Sequence, residues 1–306
     1  MQILQNVNVD FIGKRYLFFG VSVSLILIGL VSFLVRGGLN LGIDFKGGIL
    51  MQISFAQTVN IDDIRSKLTA ASISSFELQS AQGNTIIIRA KSTDIDAEAF
   101  AKNIQGVLGA AYASNTVTLD RTEYVGPAVG RHLVKQALSA ILFSLLGIIL
   151  YVAVRFHSGI WGMAGVIALA HDVVIVLGMF ALFNYEVSLT IVAAILTLAG
   201  YSINDTIVIF DRIRENRRLM SKEDFGVIIN KSVNQTLPRT FNTSATTFAV
   251  VLALYFFGGA VIHDFAFALL VGIIVGTYSS VYVASPLVYE WEVYRKRRAM
   301  SFRMKK

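Results

Sequence analysis

Long apolar runs separated by short polar breaks dominate this chain, and a single polar stretch, residues 36–134, interrupts them. Residues 16–35 form the first run, preceded by Lys14 and Arg15. It meets the length of about 20 residues that a helix needs to cross a hydrocarbon core. No small-x-small cleavage pattern surrounds Val35-Arg36-Gly37-Gly38, so an uncleaved first span is expected rather than a signal peptide. Runs at 135–155, 159–183, 187–210, 239–257 and 265–290 predict five further spans. Only Asn184, Tyr185 and Glu186 separate the third from the fourth, which predicts a tight helical hairpin.

The polar stretch has its own periodicity. Residues 49–55 read as a strand, and Asn60 can cap a helix over 61–71 with Asp62 and Asp63 in its first turn. Residues 76–81 and 85–90 flank Gln82-Gly83-Asn84, a hairpin signal. Asp94 can cap a helix running to 108, and 115–124 read as a last strand before Gly126-Pro127 breaks the pattern. The order βαββαβ predicts a small α+β ferredoxin-like domain between helices 1 and 2. The fold class expected is therefore a polytopic α-helical membrane protein with six transmembrane helices and one soluble domain.

Composition agrees. The chain is 55% hydrophobic and only 15% charged, with a mean hydropathy of +0.63, against about 25% charged for soluble chains. The net charge of +7 is not a nucleic-acid footprint, because its basic clusters, Arg212 to Arg239 and Arg295 to Lys306, flank apolar spans. The loops 184–186 and 258–264 hold no Lys or Arg. Positive charge thus assigns the N-terminus 1–15, the Arg155 turn, the basic loop 211–238 and the tail 291–306 to the cytoplasm, with the domain 36–134 on the opposite side. Within that loop an amphipathic helix is expected around 225–233. Cysteine is absent, which rules out disulfides and thiolate metal sites. No nucleotide loop, zinc motif or nucleophile–base spacing is present, so no enzyme activity, cofactor or metal is expected. Energy for any work would come from an ion gradient.

Candidate chemistry lies inside the spans. Asp205 sits in the fourth run, with Ile207 to Phe210 still apolar after it. An ionisable group at that depth is a functional-site hypothesis. Tyr201 and Asn204 share its face at spacings of three and four, with Asn204 adjacent to it. On the fifth run Arg239, Thr243 and Thr247 repeat at the same spacing, and Arg239 is the best cation for Asp205. His171-Asp172 in the third run is a second candidate, either a proton relay or a satisfied pair that holds helices together. Asp205 could pair with Arg239 when ionised and release it when protonated, which would let a proton gradient bias two packings.

Four motifs carry a family resemblance: Gly42-Ile-Asp-Phe-Lys-Gly-Gly48, Val125-Gly-Pro-Ala-Val-Gly130, the block 200–218, and 237–247. Through them the chain resembles the SecF family, the smaller membrane subunits of bacterial SecD–SecF export complexes, and it does so over nearly its whole length. The resemblance implies an RND-like half that pairs with SecD and associates with the SecYEG channel, and in many bacteria with YajC and YidC. It implies an inner-membrane location and ATP-independent export of preproteins driven by the proton motive force, or by sodium in some relatives. It also implies that the family's membrane Asp and Arg fall on Asp205 and Arg239. Two alternatives stay open on the residues alone, a small-molecule or lipid exporter half and a passive scaffold for SecD.

Overall fold

The computed structural model describes residues 8–73, 76–81, 84–90, 97–156 and 159–303. In chain order the elements are α1 (Arg15–Val35), α2 (Ile43–Lys46), β1 (Gly48–Phe55), α3 (Ile61–Ala70), β2 (Phe76–Ala81), β3 (Thr85–Ala90), α4 (Ala97–Ala111) and β4 (Val117–Val125). There follow α5 (Pro127–Phe156), α6 (Gly159–Phe183), α7 (Leu189–Leu219), α8 (Phe225–Phe257), α9 (Gly259–Ser279), a π-helical turn over Ser280–Ala284, and α10 (Ser285–Arg303). Among the described residues six helical runs are long and apolar enough to cross a membrane, the last of them Ile262–Arg298. The chain divides into two units, a helical one (Met1–Asn40, Ala140–Tyr185, Thr190–Lys306) and a second one (Leu41–Ser139, Glu186–Leu189).

The second unit holds a four-stranded antiparallel sheet in the order β2-β3-β1-β4. Along β1 every other residue, Ile49, Met51, Ile53 and Phe55, is buried. Their face, with Ile86 and Ile88 of β3, packs in one core with Ile64 and Leu68 of α3 and Ile104 and Leu108 of α4. Period two on the strands and period 3.6 on the helices thus meet in one apolar layer. Asn60 caps α3 by accepting the Asp62 backbone N–H. The proposed Asp94 cap lies outside the described residues.

Asp63 on α3 accepts a 2.6 Å hydrogen bond from the Tyr112 hydroxyl and lies 3.2 Å from Lys67 Nζ. The Tyr112 bond first, then Lys67, holds the Asp63 carboxyl below its ordinary value of 3.8. A depressed folded pKa means that its contribution is complete above the unfolded value and fades as pH falls through the folded one. The thermal midpoint of wild type should therefore exceed that of Asp63→Asn at neutral pH, and the difference should shrink as the pH falls below 3.8. Scans of both proteins across that pH range check this.

In the helical unit the spans outrun the apolar runs that announced them. Helix α5 opens at Pro127 rather than at 135, since proline at the first helical position gives up an N–H that has no partner there anyway. Helix α7 continues past the apolar end at 210 to Leu219, and α8 begins at Phe225 with its Asp224 cap and runs unbroken through Pro238. The expected basic loop 211–238 is therefore two helix ends joined by a short turn. Pairs along and between these ends keep them helical: Arg212 with Glu215 at 2.7 Å, and Asn216 Nδ2 with Ser232 Oγ and Gln235 Oε1. Proline removes one intrahelical bond, and membrane helices tolerate that loss.

Helices α1 and α6 touch at backbone level. A methyl group on Gly29 would stand 2.7 Å from the Gly178 Cα, and one on Gly178 2.9 Å from the Gly29 Cα. Small residues at a crossing are the usual way for membrane helices to associate closely.

Candidate functional site

Two polar centres lie within the helical unit, and their chemistry differs. The first is at His171 and Asp172 on α6. Asp172 is fully buried, and its Oδ2 accepts from Ser202 Oγ of α7 at 2.6 Å and Ser279 Oγ of α9 at 2.8 Å. Its Oδ1 faces His171 Nδ1 at 2.9 Å. His171 Nε2 lies 3.0 Å from Ser22 Oγ of α1, which lies 3.0 Å from the Tyr278 hydroxyl, and that hydroxyl donates to the Phe18 carbonyl at 2.6 Å.

A carbonyl only accepts, so this chain has one consistent direction. Tyr278 donates to Phe18, Ser22 to Tyr278, and His171 Nε2–H to Ser22. A single proton is left between Nδ1 and Oδ1, as imidazolium with carboxylate or imidazole with acid, and either way the pair is neutral. Of the two sequence readings of His171-Asp172, this geometry matches the satisfied pair, extended to four helices.

The second centre is on α7 and α8. Tyr201 donates to Ser244 Oγ at 3.0 Å, Ser244 lies 2.6 Å from Thr277 Oγ1, and Thr277 donates to the Ile273 carbonyl at 2.8 Å. These hydroxyls join α7, α8 and α9. Asp205 is 4% exposed, yet among the described residues its carboxylate has no hydrogen-bond or ion-pair partner, and Oδ2 is wholly shielded. The Thr240 hydroxyl on α8 is buried and unpartnered as well. Native proteins leave few such groups without a partner, and each needs an explanation.

Not every expected residue joins this centre. Arg239 is exposed and forms no close ion pair among the described residues, though its charge is near enough to act on Asp205. Asn204 points outward and is exposed. Thr243 and Thr247 turn their hydroxyls to carbonyls of their own helix, those of Arg239 and Thr243. Ser22, Ser202, Ser244, Thr277, Tyr278 and Ser279 carry much of the observed bonding. Ser202 lies three residues before Asp205 and Ser244 stood beside the Thr series, but the others gave no periodic signal.

Six spans with polar groups buried between them, and one small α+β unit, define a polytopic membrane protein. Comparison with known proteins supplies the family. Residues 107–294 match the family model for the protein export membrane protein SecD/SecF, C-terminal, and residues 31–59 match the SecD/SecF GG motif. The protein translocase subunit SecF of Endomicrobium trichonymphae is 48% identical over 299 residues, covering 97% of this chain and 96% of the relative. That of Calditerrivibrio nitroreducens is 44% identical over 294 residues, covering 95% and 96%. The crystal structure of SecDF from Thermus thermophilus, titled a translocon-associated membrane protein, matches with a TM-score of 0.85 at 35% identity. That match covers 95% of this chain and 40% of the longer solved chain. A second SecDF structure, in a super-membrane-facing form, matches with a TM-score of 0.70 at 36% identity, over 97% and 40% of the two chains. The chain belongs to the SecF family of protein translocase subunits, multi-pass proteins of the inner membrane.

Proposed function

We propose that this subunit, paired with SecD, drives late and ATP-independent export of preproteins through the SecYEG channel by moving protons through the Asp205 centre. It is a non-enzymatic machine part, with YajC and YidC as further neighbours and sodium as the alternative coupling ion. Its termini face the cytoplasm, and its ferredoxin-like domain, set between the first and second spans, faces the periplasm. The observation that carries the reading is the contrast between two buried carboxylates. Asp172 has both oxygens engaged, by His171, Ser202 and Ser279, in a neutral pair that joins four helices. Asp205 is buried too, and among the described residues it has no hydrogen bond or close ion pair.

A buried carboxylate without partners is poorly stabilised as an anion, and it gains from a proton or from an approaching cation. Arg239, without a close ion pair among the described residues, is the cation to hand. The protonated and paired states then differ in the packing of α7 on α8, which a gradient can bias. Asn204, Arg239 and Asn242 leave polar groups exposed on these spans. Lipid cannot satisfy them, which supports a partner's helices covering this face.

The test is Asp205→Asn in inverted membrane vesicles that contain SecD and the channel. Expected is loss of the gradient-stimulated part of preprotein translocation, with assembly and gradient-independent export unchanged. Full stimulation in the variant would reduce Asp205 to a structural residue and the subunit to a scaffold.

A further inference from the structure

Two of the family motifs, 42–48 and 125–130, have no role in the proton centre, yet the second unit brings both of them to one place. Residues 186–189, the end of the α6–α7 connection and the first residue of α7, group with this unit. Leu41 and Val187 form a parallel β-bridge, and the Gly42 N–H donates to the Val187 carbonyl at 2.8 Å. Asp44 Oδ2 accepts the backbone N–H of Leu189, the first residue of α7, at 2.8 Å. Glu186 pairs with Arg89 of β3, which is also held by Gln79 Oε1 at 2.8 Å.

The glycines serve the same junction. Gly47 and Gly48 adopt φ of +75° and +133°, which side-chain-bearing residues rarely take, and they turn the chain from α2 into β1. A methyl group on Gly130 of α5 would press 3.2 Å from the Phe45 carbonyl, so glycine lets α5 lie against this loop without the loop giving way. Residues 186–189, which lead into α7, are thus tied to sheet and loop by a carboxylate on the Leu189 N–H, a backbone bond and an ion pair between two largely buried side chains, all within one unit.

We propose that the Gly42–Gly48 loop is a rigid joint that turns displacement of α7, the helix carrying Asp205, into movement of the soluble domain. Asp44 is its positioning residue and the Arg89–Glu186 pair its brace. The joint stays closed through the working cycle. A carboxylate at a helix N-terminus satisfies an orphan N–H and complements the helix dipole, which a looser connection would not do. The inference rests on Asp205 being the seat of coupling.

The experiment compares Asp44→Ala, Asp44→Asn and the pair Leu41→Cys/Val187→Cys in the same vesicles, with Asp205→Asn alongside. Asparagine keeps an acceptor oxygen for Leu189, whereas alanine does not. Gradient-stimulated translocation should fall about fivefold or more in Asp44→Ala, the factor that a lost cap implies, and stay within about twofold in Asp44→Asn. The chain has no cysteine of its own, and backbone-paired residues lie within disulfide reach. Oxidising the cysteine pair should therefore lock the joint and leave stimulation within about twofold of the reduced form. Full stimulation in Asp44→Ala, or stimulation lost on oxidation and regained on reduction, would overturn the joint. Should Asp44→Ala fail to assemble, Asp44→Asn and the cysteine pair still decide. Stimulation that survives Asp205→Asn would instead overturn the coupling role of Asp205, and the joint would then be judged by the Asp44 variants and the lock alone.

Discussion

Asp172→Ala is expected to destabilise the helical unit by about 3–5 kcal/mol, the usual cost of removing one partner from a buried charged or hydrogen-bonded pair. The variant leaves Ser202, Ser279 and His171 facing a void, each of them a buried donor whose loss of partner costs about 1–3 kcal/mol. For a helical unit of this size, a loss of that order lowers the temperature of unfolding in detergent by about 10 °C. Asp172→Asn separates shape from charge. Its carbonyl oxygen can accept from both serines while its amide donates to His171 Nδ1, and Nε2–H can still donate to Ser22, so the loss should be small. Asp205→Asn should leave stability near that of wild type, because no bond is broken. Equal thermal midpoints for Asp172→Ala and wild type would remove the structural assignment of this centre. A large drop in Asp205→Asn would show that the second carboxylate too is needed for packing.

The difference between the two aspartates marks how far sequence reading reaches. Depth is legible: both lie well inside apolar runs, and both are buried. Partnership is not. Ser22 and Ser279 reach the His171–Asp172 pair across 149 and 107 residues, and no spacing along the chain announces bonds of that range. The expected Arg239 pair is not closed in this conformation for the reverse reason. Helical spacing places residues on a shared stripe, but it does not say how far that stripe is turned towards the next helix. Thr243 and Thr247 lie on the expected face and bond backwards, because a threonine hydroxyl always has its own i−4 carbonyl within reach.

The same distinction runs through the fold. Strands β2 and β3 and helix α6 keep the bounds that their patterns indicate, and the Asn60 cap forms as its position implies. Helices α5, α7 and α8 do not stop where hydropathy stops. Apolar content reports where a membrane ends, whereas a helix ends where its backbone finds a cap or a breaker. Arg212–Glu215 and Asn216–Ser232 carry α7 on beyond its apolar part, and the Asp224 cap starts α8 before its own. The Gly42–Gly48 loop was legible only as a family motif, since its partners at 186–189 belong to another part of the chain.

Gly178→Val, or Gly29→Val, should detach α1 from the bundle. The two Cα atoms face each other so closely that even alanine at Gly29 must push backbone against backbone, which overpacking data place at about 1–3 kcal/mol, and valine adds two further methyl groups. Neither helix can yield by rotating a side chain, so the axes must separate. A separation of even 1 Å (an ordinary relief of a 2.7 Å contact) would stretch the 3.0 Å His171–Ser22 and Ser22–Tyr278 bonds beyond hydrogen-bond range. The Arg36 bond to the Leu182 carbonyl at the other end of the crossing, also 3.0 Å, would be strained with them. The effect should therefore exceed overpacking alone and include part of the Asp172 penalty. Gly20→Ala on the same helix is the matched control: nothing lies within 4 Å of its added methyl group, and alanine favours a helix over glycine by about 1 kcal/mol. Thermal unfolding in detergent, read beside a disulfide placed between α1 and α6 in this cysteine-free chain, should show both losses in the valine variants and neither in Gly20→Ala. Valine variants that unfold and cross-link like wild type would mean that α1 is held by lipid and linker rather than by its glycine contact.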